Sequence, residues 1–148
     1  MKIEDEIHGR FRNEYHKGAI NLTYTTNQLN YHFYNVIKEH NLTPQQYNIL
    51  RVLRGYSTQP SSIGFLRDRM LDKHSDVSRI VEKLFERQLV TRCENSIDRR
   101  QKDVSITESG KELLKKMDDC ERKVDTLLVN LNEEEVKLLN DLLDKIRG

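Results

Sequence analysis

Apolar residues recur every three or four positions along most of this chain, the spacing that gives an α-helix one apolar face. The first such pattern predicts a helix from about Phe11 to His40. Its apolar face consists of Leu22, Thr26, Leu29, Phe33, Val36 and Ile37. Since only 6 Gly and 2 Pro punctuate the 148 residues, the predicted fold is mainly α-helical.

Capping residues predict where the next helix begins. Thr43 supplies an N-cap hydroxyl, Pro44 fits the first helical position, and Gln46 can return a hydrogen bond to the cap. The helix is predicted to end at Gly55. Its inward side chains are Tyr47, Leu50 and Leu53.

A helix-turn-helix unit is predicted next. A short helix capped by Ser61 or Ser62 precedes a polar break at residues 72–74, and a second helix is predicted from a Ser75 cap to about Gln88. The short helix is predicted to bury Ile63, Leu66 and Met70. The second helix has one apolar stripe, formed by Val77, Ile80, Val81, Leu84 and Phe85.

Alternating residues after this unit predict two paired strands, at about Leu89–Cys93 and Lys102–Ile106. Thr107 is then predicted to cap a helix that continues to about Asn130. Asn132 begins a further capping motif and a last amphipathic helix. The apolar positions of that helix are Val136, Leu139, Leu142, Leu143 and Ile146.

Charge is nearly balanced over the whole chain, with 25 Lys and Arg against 24 Asp and Glu. Its distribution is uneven, since residues 60–107 hold 10 basic and 8 acidic side chains whereas residues 108–148 hold 8 basic and 11 acidic. A nucleic-acid partner would therefore have to be recognised by a local surface.

The outer face of the helix predicted from Ser75 carries such a surface. Its N–H groups, with Ser75 or Ser78, can hold a phosphate, and Asp76 can accept a hydrogen bond from a cytosine amino group. Arg79 can reach guanine or phosphate, and Lys83 lies one turn further along the same face. These residues suit a helix that enters the major groove of DNA.

Acidic residues on that face, Glu82 and Glu86, favour the alternative of a merely solvated surface. The loop between the strands changes this balance, because an arginine at the tip of a β-ribbon can enter the minor groove. There Asp98 can accept a hydrogen bond from the Arg100 guanidinium or from N–H groups of the loop, which would fix the arginine's direction. The alternative is a solvated loop with an ion pair of little energetic value.

The sequence resembles the MarR-type winged-helix transcription regulators of bacteria and archaea from about Leu42 to Met117, and more loosely over both terminal regions. The most specific segment is HSDVSRIVEKLFERQLVTRCENSIDRRQKDVSITESGKELL, which contains Ser-x-Val-Ser-Arg, Leu-Val-x-Arg, Asp-x-Arg and Thr-Glu-x-Gly. The segments LTPQQYNIL and LNEEEVKLLNDLL resemble the family as well.

The resemblance implies a winged helix-turn-helix at residues 42–107 between helical dimerisation regions at residues 1–41 and 108–148. It also implies a homodimer that reads a roughly palindromic DNA duplex. The recognition-helix residues implied by motif position are Ser75, Asp76, Ser78 and Arg79.

The resemblance further assigns the loop as the wing. Asp98 would be its positioning carboxylate and Arg100 its minor-groove arginine. Arg99 and Lys102 are assigned phosphate contacts by charge alone.

Small aromatic molecules release many members of this family from DNA. The candidate lining of such an effector pocket consists of Tyr24, Tyr31, Phe33 and Tyr34. Helical aromatics more often belong to a core or a dimer interface, and that alternative stands beside the pocket.

Other chemistries have less support. The histidines include no pair spaced to put two metal ligands on one helix face, and HExxH, a phosphate-binding glycine loop and a nucleophile elbow are missing, so no metal, cofactor or enzyme activity is predicted. Cys93 and Cys120 form no CxxC pair, which favours reduced thiols over a redox switch. Without an apolar span or leader, the chain is predicted to be cytosolic.

We therefore predict a homodimeric, sequence-specific regulator of transcription that binds double-stranded DNA. Repression relieved by an effector is inherited from the resemblance. The alternative is a winged-helix dimer that has lost DNA binding and serves as a protein-interaction module.

Overall fold

A computed structural model describes residues 1–118, 122, 126 and 128–148 of the chain. Helices surround a small antiparallel sheet that includes a two-stranded hairpin. The predicted fold class, mainly α with a β-wing, is confirmed.

The N-terminal region contains two helices where one was predicted. Helix α1 spans Ile3–Ile7 and α2 spans Glu14–Lys38. The long helix starts later than predicted because the Asn13 side chain accepts the His16 N–H at 2.9 Å and caps it. A helix as short as α1 has too little periodicity to be read from the sequence.

Two capped helices follow as predicted. Helix α3 spans Pro44–Gly55, and Thr43 and Gln46 form a reciprocal capping box with hydrogen bonds of 3.1 and 3.0 Å. Helix α4 spans Ile63–Asp68 and is capped by the side chain of Ser62. Local hydrogen bonding therefore sets both helix starts.

Helix α5 spans Val77–Glu86, and the predicted Ser75 cap is wrong. Asp76 is the cap, since its carboxylate accepts the Arg79 N–H at 3.1 Å. Ser75 belongs to the preceding turn, in which its N–H donates to the Asp72 carbonyl at 3.2 Å. Because of this turn, the helix begins one residue later than predicted.

The predicted strands are confirmed and a third is added. Strand β1 spans Ser61–Ser62, β2 spans Val90–Glu94 and β3 spans Lys102–Ile106, in the antiparallel order β1-β3-β2. Val90 lies opposite Ile106, and the register carries the β2–β3 hairpin to its loop at residues 95–101. Strand β1 was not predicted, because two residues are too few to show the alternation of apolar and polar residues that is typical of a strand.

One hydrophobic core joins these elements, with α3 packed against α5, α6 and β3. On α5, the predicted stripe is buried at Val77, Val81 and Leu84, while Phe85 is 40 % exposed. Other fully buried members are Ile37, Ile49, Leu50, Leu53, Leu66, Val90, Val104, Leu114 and Met117. The elements from α3 to α6, with the three-stranded sheet, thus form one packed unit, called the lobe below.

Helix α6 spans Glu108–Lys116 and is capped by Thr107 as predicted. Gly110 is required there, since a Cβ atom would lie 2.4 Å from the Leu89 carbonyl oxygen. The predicted helix is interrupted at the fully buried Met117, and it does not reach Asn130, because residues 128–130 form a turn. Most of residues 119–127, over which the prediction also extended, lie outside the described residues.

Helix α7 spans Glu133–Arg147 and begins at the predicted Asn132 capping box. No residue of α7 is buried within the described chain. Its apolar side chains include Leu138, Leu142 and Ile146, all exposed.

Candidate nucleic-acid interface

The outer face of α5 presents the side chains that the sequence singled out. Asp76, Ser78, Arg79 and Lys83 are all exposed. One oxygen of the Asp76 carboxylate caps the helix, which aligns the first turn that would enter a groove. The exposed residues Arg79 and Lys83 follow one turn apart.

The turn before α5 holds Ser75 differently from the other predicted site residues. The Ser75 hydroxyl oxygen is buried and meets no hydrogen-bond partner at bonding geometry among the described residues. In the same turn the Asp72 carboxylate accepts the His74 N–H at 3.0 Å, and this hydrogen bond keeps the pKa of Asp72 below its ordinary value. Ser75 thus faces inward next to an ordered turn.

The wing loop is organised by two polar side chains. Asp98 accepts the backbone N–H of Arg100 at 3.0 Å and the side-chain amide of Gln101 at 3.3 Å, so of the two predicted roles the hydrogen bond to a loop N–H is the one observed. Asn95 accepts the N–H groups of Ile97 and Asp98 at 2.8 and 3.0 Å. This frame leaves the side chains of Arg99 and Arg100 exposed at the tip.

Asn95 is a functional candidate that the sequence analysis missed. Besides its two accepted bonds, its amide donates to the Asp103 carboxylate at 2.9 Å and ties the loop to β3. The sequence could have indicated this role, because an asparagine directly after a strand favours an Asx turn.

The wing and α5 are joined through Arg92, another residue that sequence reasoning missed. Its guanidinium forms an ion pair with Glu82 of α5, and its Cζ atom lies 4.0 Å from the centroid of the Phe85 ring. Glu82 favoured a merely solvated face in the sequence, but its carboxylate is paired with a cation. No spacing rule links residues on a helix and a strand, so only the fold reveals this contact.

A groove of about 520 Å³ lies between α4, α5 and the wing. It brings together three predicted site residues, Ser78, Arg100 and Lys102. The other exposed predicted residues lie outside its lining. The groove thus connects Ser78, a predicted recognition-helix residue, with Arg100, the predicted minor-groove arginine.

A second cavity, of about 670 Å³, lies between α2, α3 and residues 70–72. Of the residues predicted to line an effector pocket, Tyr31, Phe33 and Tyr34 line this cavity. Tyr24 does not, because it lies two helical turns before Tyr31 and its hydroxyl donates to Glu6 of α1 at 2.8 Å. This hydrogen bond raises the pKa of Tyr24 above its ordinary value.

No cluster of three or more His, Cys, Asp or Glu in the described part of the chain is arranged to hold a metal ion. Cys93 is a free, exposed thiol on β2, whereas Cys120 lies outside the described residues. Of the helices in the described ranges, none combines the length and apolarity needed to span a membrane.

A helix-turn-helix followed by a hairpin, with exposed basic residues on both, defines a winged-helix protein of the DNA-binding class. A family model described as the MarR family matches residues 40–101. HTH-type transcriptional regulator MhqR of Bacillus subtilis strain 168 is 30 % identical over 120 residues, which cover 80 % of this chain and 81 % of that protein. The chain belongs to the MarR family of DNA-binding transcriptional regulators.

Solved structures share the fold. MepR of S. aureus, in complex with DNA, has a TM-score of 0.78 and 19 % identity over 86 % of this chain and 94 % of that one. BpsR of Bordetella bronchiseptica, whose DNA binding is regulated by 6-hydroxynicotinic acid, has a TM-score of 0.75 and 22 % identity over 89 % of this chain and 99 % of that one.

Proposed function

We propose that this chain is an effector-released repressor that binds a roughly palindromic operator as a homodimer. The observation that carries the proposal is the groove in which Ser78 of α5 meets Arg100 and Lys102 of the wing. In this assignment α5 reads the major groove and Arg100 enters the adjacent minor groove. The residues proposed to bind or aim at DNA are Ser75, Asp76, Ser78, Arg79, Lys83, Asp98, Arg99, Arg100 and Lys102.

Within that assignment, Asp98 positions the wing and does not contact DNA. Its hydrogen bond to the Arg100 N–H supports this role. Ser75 is proposed to aim α5 through the preceding turn and not to contact a phosphate, because its hydroxyl is buried and its N–H is bonded to the Asp72 carbonyl. Arg99 and Lys102 are proposed to add phosphate affinity.

Exposed apolar side chains on the terminal helices support the homodimer. Leu142 and Ile146 of α7 are 50 % and 69 % exposed, and Leu22 of α2 is 42 % exposed. Burying such faces between two copies is the usual way to remove them from water. We propose residues 1–41 and 108–148 as the dimerisation regions and residues 42–107 as the DNA-binding domain.

The aromatic cavity supports release by an effector. A ligand there would contact Tyr31 and Tyr34 of α2 and also residues 70–72, a few positions before the Asp76 cap. A small aromatic molecule suits its tyrosine and phenylalanine walls, as regulation of BpsR by 6-hydroxynicotinic acid illustrates in a relative of the same fold. Ligand binding that shifts α2 relative to this turn would change the spacing of the two recognition helices.

The test is selection of genomic DNA fragments by the purified protein, followed by affinity measurements on the retained duplex. Arg100→Ala is expected to weaken binding by about 1 to 3 kcal/mol and Arg99→Ala by less, with dimerisation unchanged in both. Affinity should also fall steeply as salt rises. Failure to enrich any duplex, or binding that ignores salt, would instead favour a protein-interaction module.

A further inference from the structure

The C-terminal end of α5 is hydrogen-bonded to both proposed dimerisation regions. Arg87 is the first residue after the helix, and its guanidinium donates to the backbone carbonyls of Asn41, at 2.6 Å, and His40, at 3.5 Å. The backbone carbonyl of the next residue, Gln88, accepts the Thr107 hydroxyl at 2.8 Å. Asn41 ends the proposed N-terminal region, and Thr107 caps α6, which begins the C-terminal one. Two consecutive residues therefore hold the end of α5 to the segments on either side of the DNA-binding domain.

Arg87 binds the chain at the junction between α2 and α3. Helix α2 ends at Lys38, and Asn41 reverses the chain with a φ of 54°, in the left-handed region. Carbonyls at the end of a helix carry partial negative charge, so a guanidinium there forms charge-assisted hydrogen bonds and stabilises the helix dipole. Ile37, one residue before the end of α2, is fully buried in the core. Arg87 thus holds the chain where α2 joins the lobe.

The backbone that carries Arg87 is itself fixed. Gln88 has a φ of 58°, and its N–H donates to the Phe85 carbonyl at 2.8 Å. The Leu89 N–H donates to the Leu84 carbonyl at 3.0 Å. These two bonds form a Schellman motif, which closes the end of the helix. Since the side chain of Leu89 is buried as well, a displacement of α2 that pulled on Arg87 would move the end of α5 as a unit.

The attachment of α5 to the dimerisation helices determines which half-sites a dimer can read together. In a two-fold symmetric dimer the recognition helices enter major grooves one DNA turn apart, roughly 34 Å. The hydrophobic core packs α5 against α3, α4 and β2, all within the lobe. The hydrogen bonds of Arg87 link α5 to the chain that leaves the lobe as α2.

We propose that Arg87 is a positioning residue for operator recognition. It touches no DNA, and by tying the end of α5 to the end of α2 it sets the separation of the two recognition helices in the homodimer. The inference rests on the proposed binding of a roughly palindromic operator by a homodimer, and it adds a residue that lies outside every contact assigned there.

The first test measures the preference for half-site spacing. The genomic duplex that the wild-type protein retains is compared with two versions that have one base pair inserted or removed at the centre, which shifts the half-sites by about 3.4 Å. Wild type is expected to bind both versions about tenfold more weakly than the natural duplex. Arg87→Ala is expected to bind the natural duplex about fivefold more weakly and to reduce the penalty for altered spacing about threefold, because its recognition helices are held less tightly.

Two variants serve as controls. Arg87→Lys keeps a cation that can donate to one carbonyl, and its spacing penalty is expected to lie between those of wild type and Arg87→Ala. In Arg69→Ala the lost guanidinium also bonds to a backbone carbonyl, that of Phe65 at 3.3 Å, but within its own segment. Arg69→Ala should keep the wild-type spacing penalty.

Salt dependence distinguishes positioning from a direct phosphate contact. If Arg87 touches no DNA, the slope of log affinity against log salt should be the same for wild type and Arg87→Ala. A slope smaller by about 0.9, the value for one lost phosphate contact, would make Arg87 a DNA ligand and overturn the proposal. Equal weakening on all three duplexes would overturn it as well, since a merely destabilised lobe loses affinity without changing its preferred spacing.

The wild-type protein tests the underlying function separately. If it retains no duplex, or if it binds the altered spacings as well as the natural one, the homodimer does not read a palindrome and both proposals fall. If the wild type prefers the natural spacing and Arg87→Ala has the same preference, only the role of Arg87 is overturned.

Discussion

Helices α5 and α7 carry similar apolar stripes but differ in what covers them. On α5, Val77, Val81 and Leu84 are 2 %, 1 % and 0 % exposed. On α7, Leu142 and Ile146 are 50 % and 69 % exposed. The same amphipathic pattern therefore completes a core in one region and leaves an open surface in the other.

An apolar stripe therefore predicts that a helix needs a packing partner but does not specify which chain supplies that partner. The stripe of α5 meets α3, α4 and the strand that follows it, all in its own lobe. The stripe of α7 is covered less in the described chain, where Val136, Leu139 and Leu143 are half-buried and no residue of the helix is fully buried. In the proposed homodimer its partner would be the second copy.

The largest effect on stability is expected from removing a buried side chain of α5. Leu84→Ala removes a fully buried side chain from the core and is expected to lower the free energy of unfolding by about 2 to 5 kcal/mol. Urea unfolding monitored by circular dichroism measures it. Because the contact is made within one lobe, the change in free energy should be the same at low and high protein concentration, and a concentration-dependent change would contradict this assignment.

A smaller effect, on dimerisation, is expected from a charge placed on the exposed apolar stripe of α7. Leu142→Asp places a charge on the exposed stripe and is expected to raise the dimer dissociation constant at least tenfold, measured by analytical ultracentrifugation, while the lobe stays folded. Asn140→Asp adds the same charge at another exposed position of α7 and is the matched control. Equal effects of the two substitutions, or loss of the lobe's fold, would show that the stripe is not a dimer surface.

Local sequence patterns made much of the fold predictable. The caps at Thr43, Thr107 and Asn132 and the strands around the wing follow from interactions within a few residues, and all are confirmed. The failures are local as well in two cases. Asp76 replaces Ser75 as a cap because of a turn, and the short α1 has too few residues to show a pattern.

The candidate site was less predictable because part of it exists only in three dimensions. Ser78 was expected to hold a phosphate and Arg100 to enter the minor groove, but nothing in their spacing reveals the groove that both line together with α4. Arg92 reaches Glu82 from a strand to a helix, and β1 pairs across the sheet with β3 some 40 positions later, at Ser61 and Val104. Such contacts depend on the packing of the core, which an amphipathic pattern does not specify.

The smallest effects are expected at the N-termini of α5 and α7, where the two helices are alike. Each begins with a side-chain cap, since Asp76 accepts the Arg79 N–H at 3.1 Å and Asn132 accepts the Glu135 N–H at 3.0 Å. Asp76→Ala and Asn132→Ala are each expected to cost about 1 kcal/mol of local helix stability, seen as faster amide exchange in the first turn of the altered helix.

A cap satisfies N–H groups of its own helix. The free energy by which it stabilises that helix should therefore not depend on whether the apolar stripe packs within one lobe or against a second copy. Asp76→Asn keeps a capping oxygen and is the control, expected to exchange nearly as slowly as wild type. If Asp76→Asn exchanged as fast as Asp76→Ala, the carboxylate charge rather than the cap would hold the first turn. If Asn132→Ala had no effect while Asp76→Ala did, the local equivalence of the two helices would be lost, and tertiary packing would set even the stability of their ends.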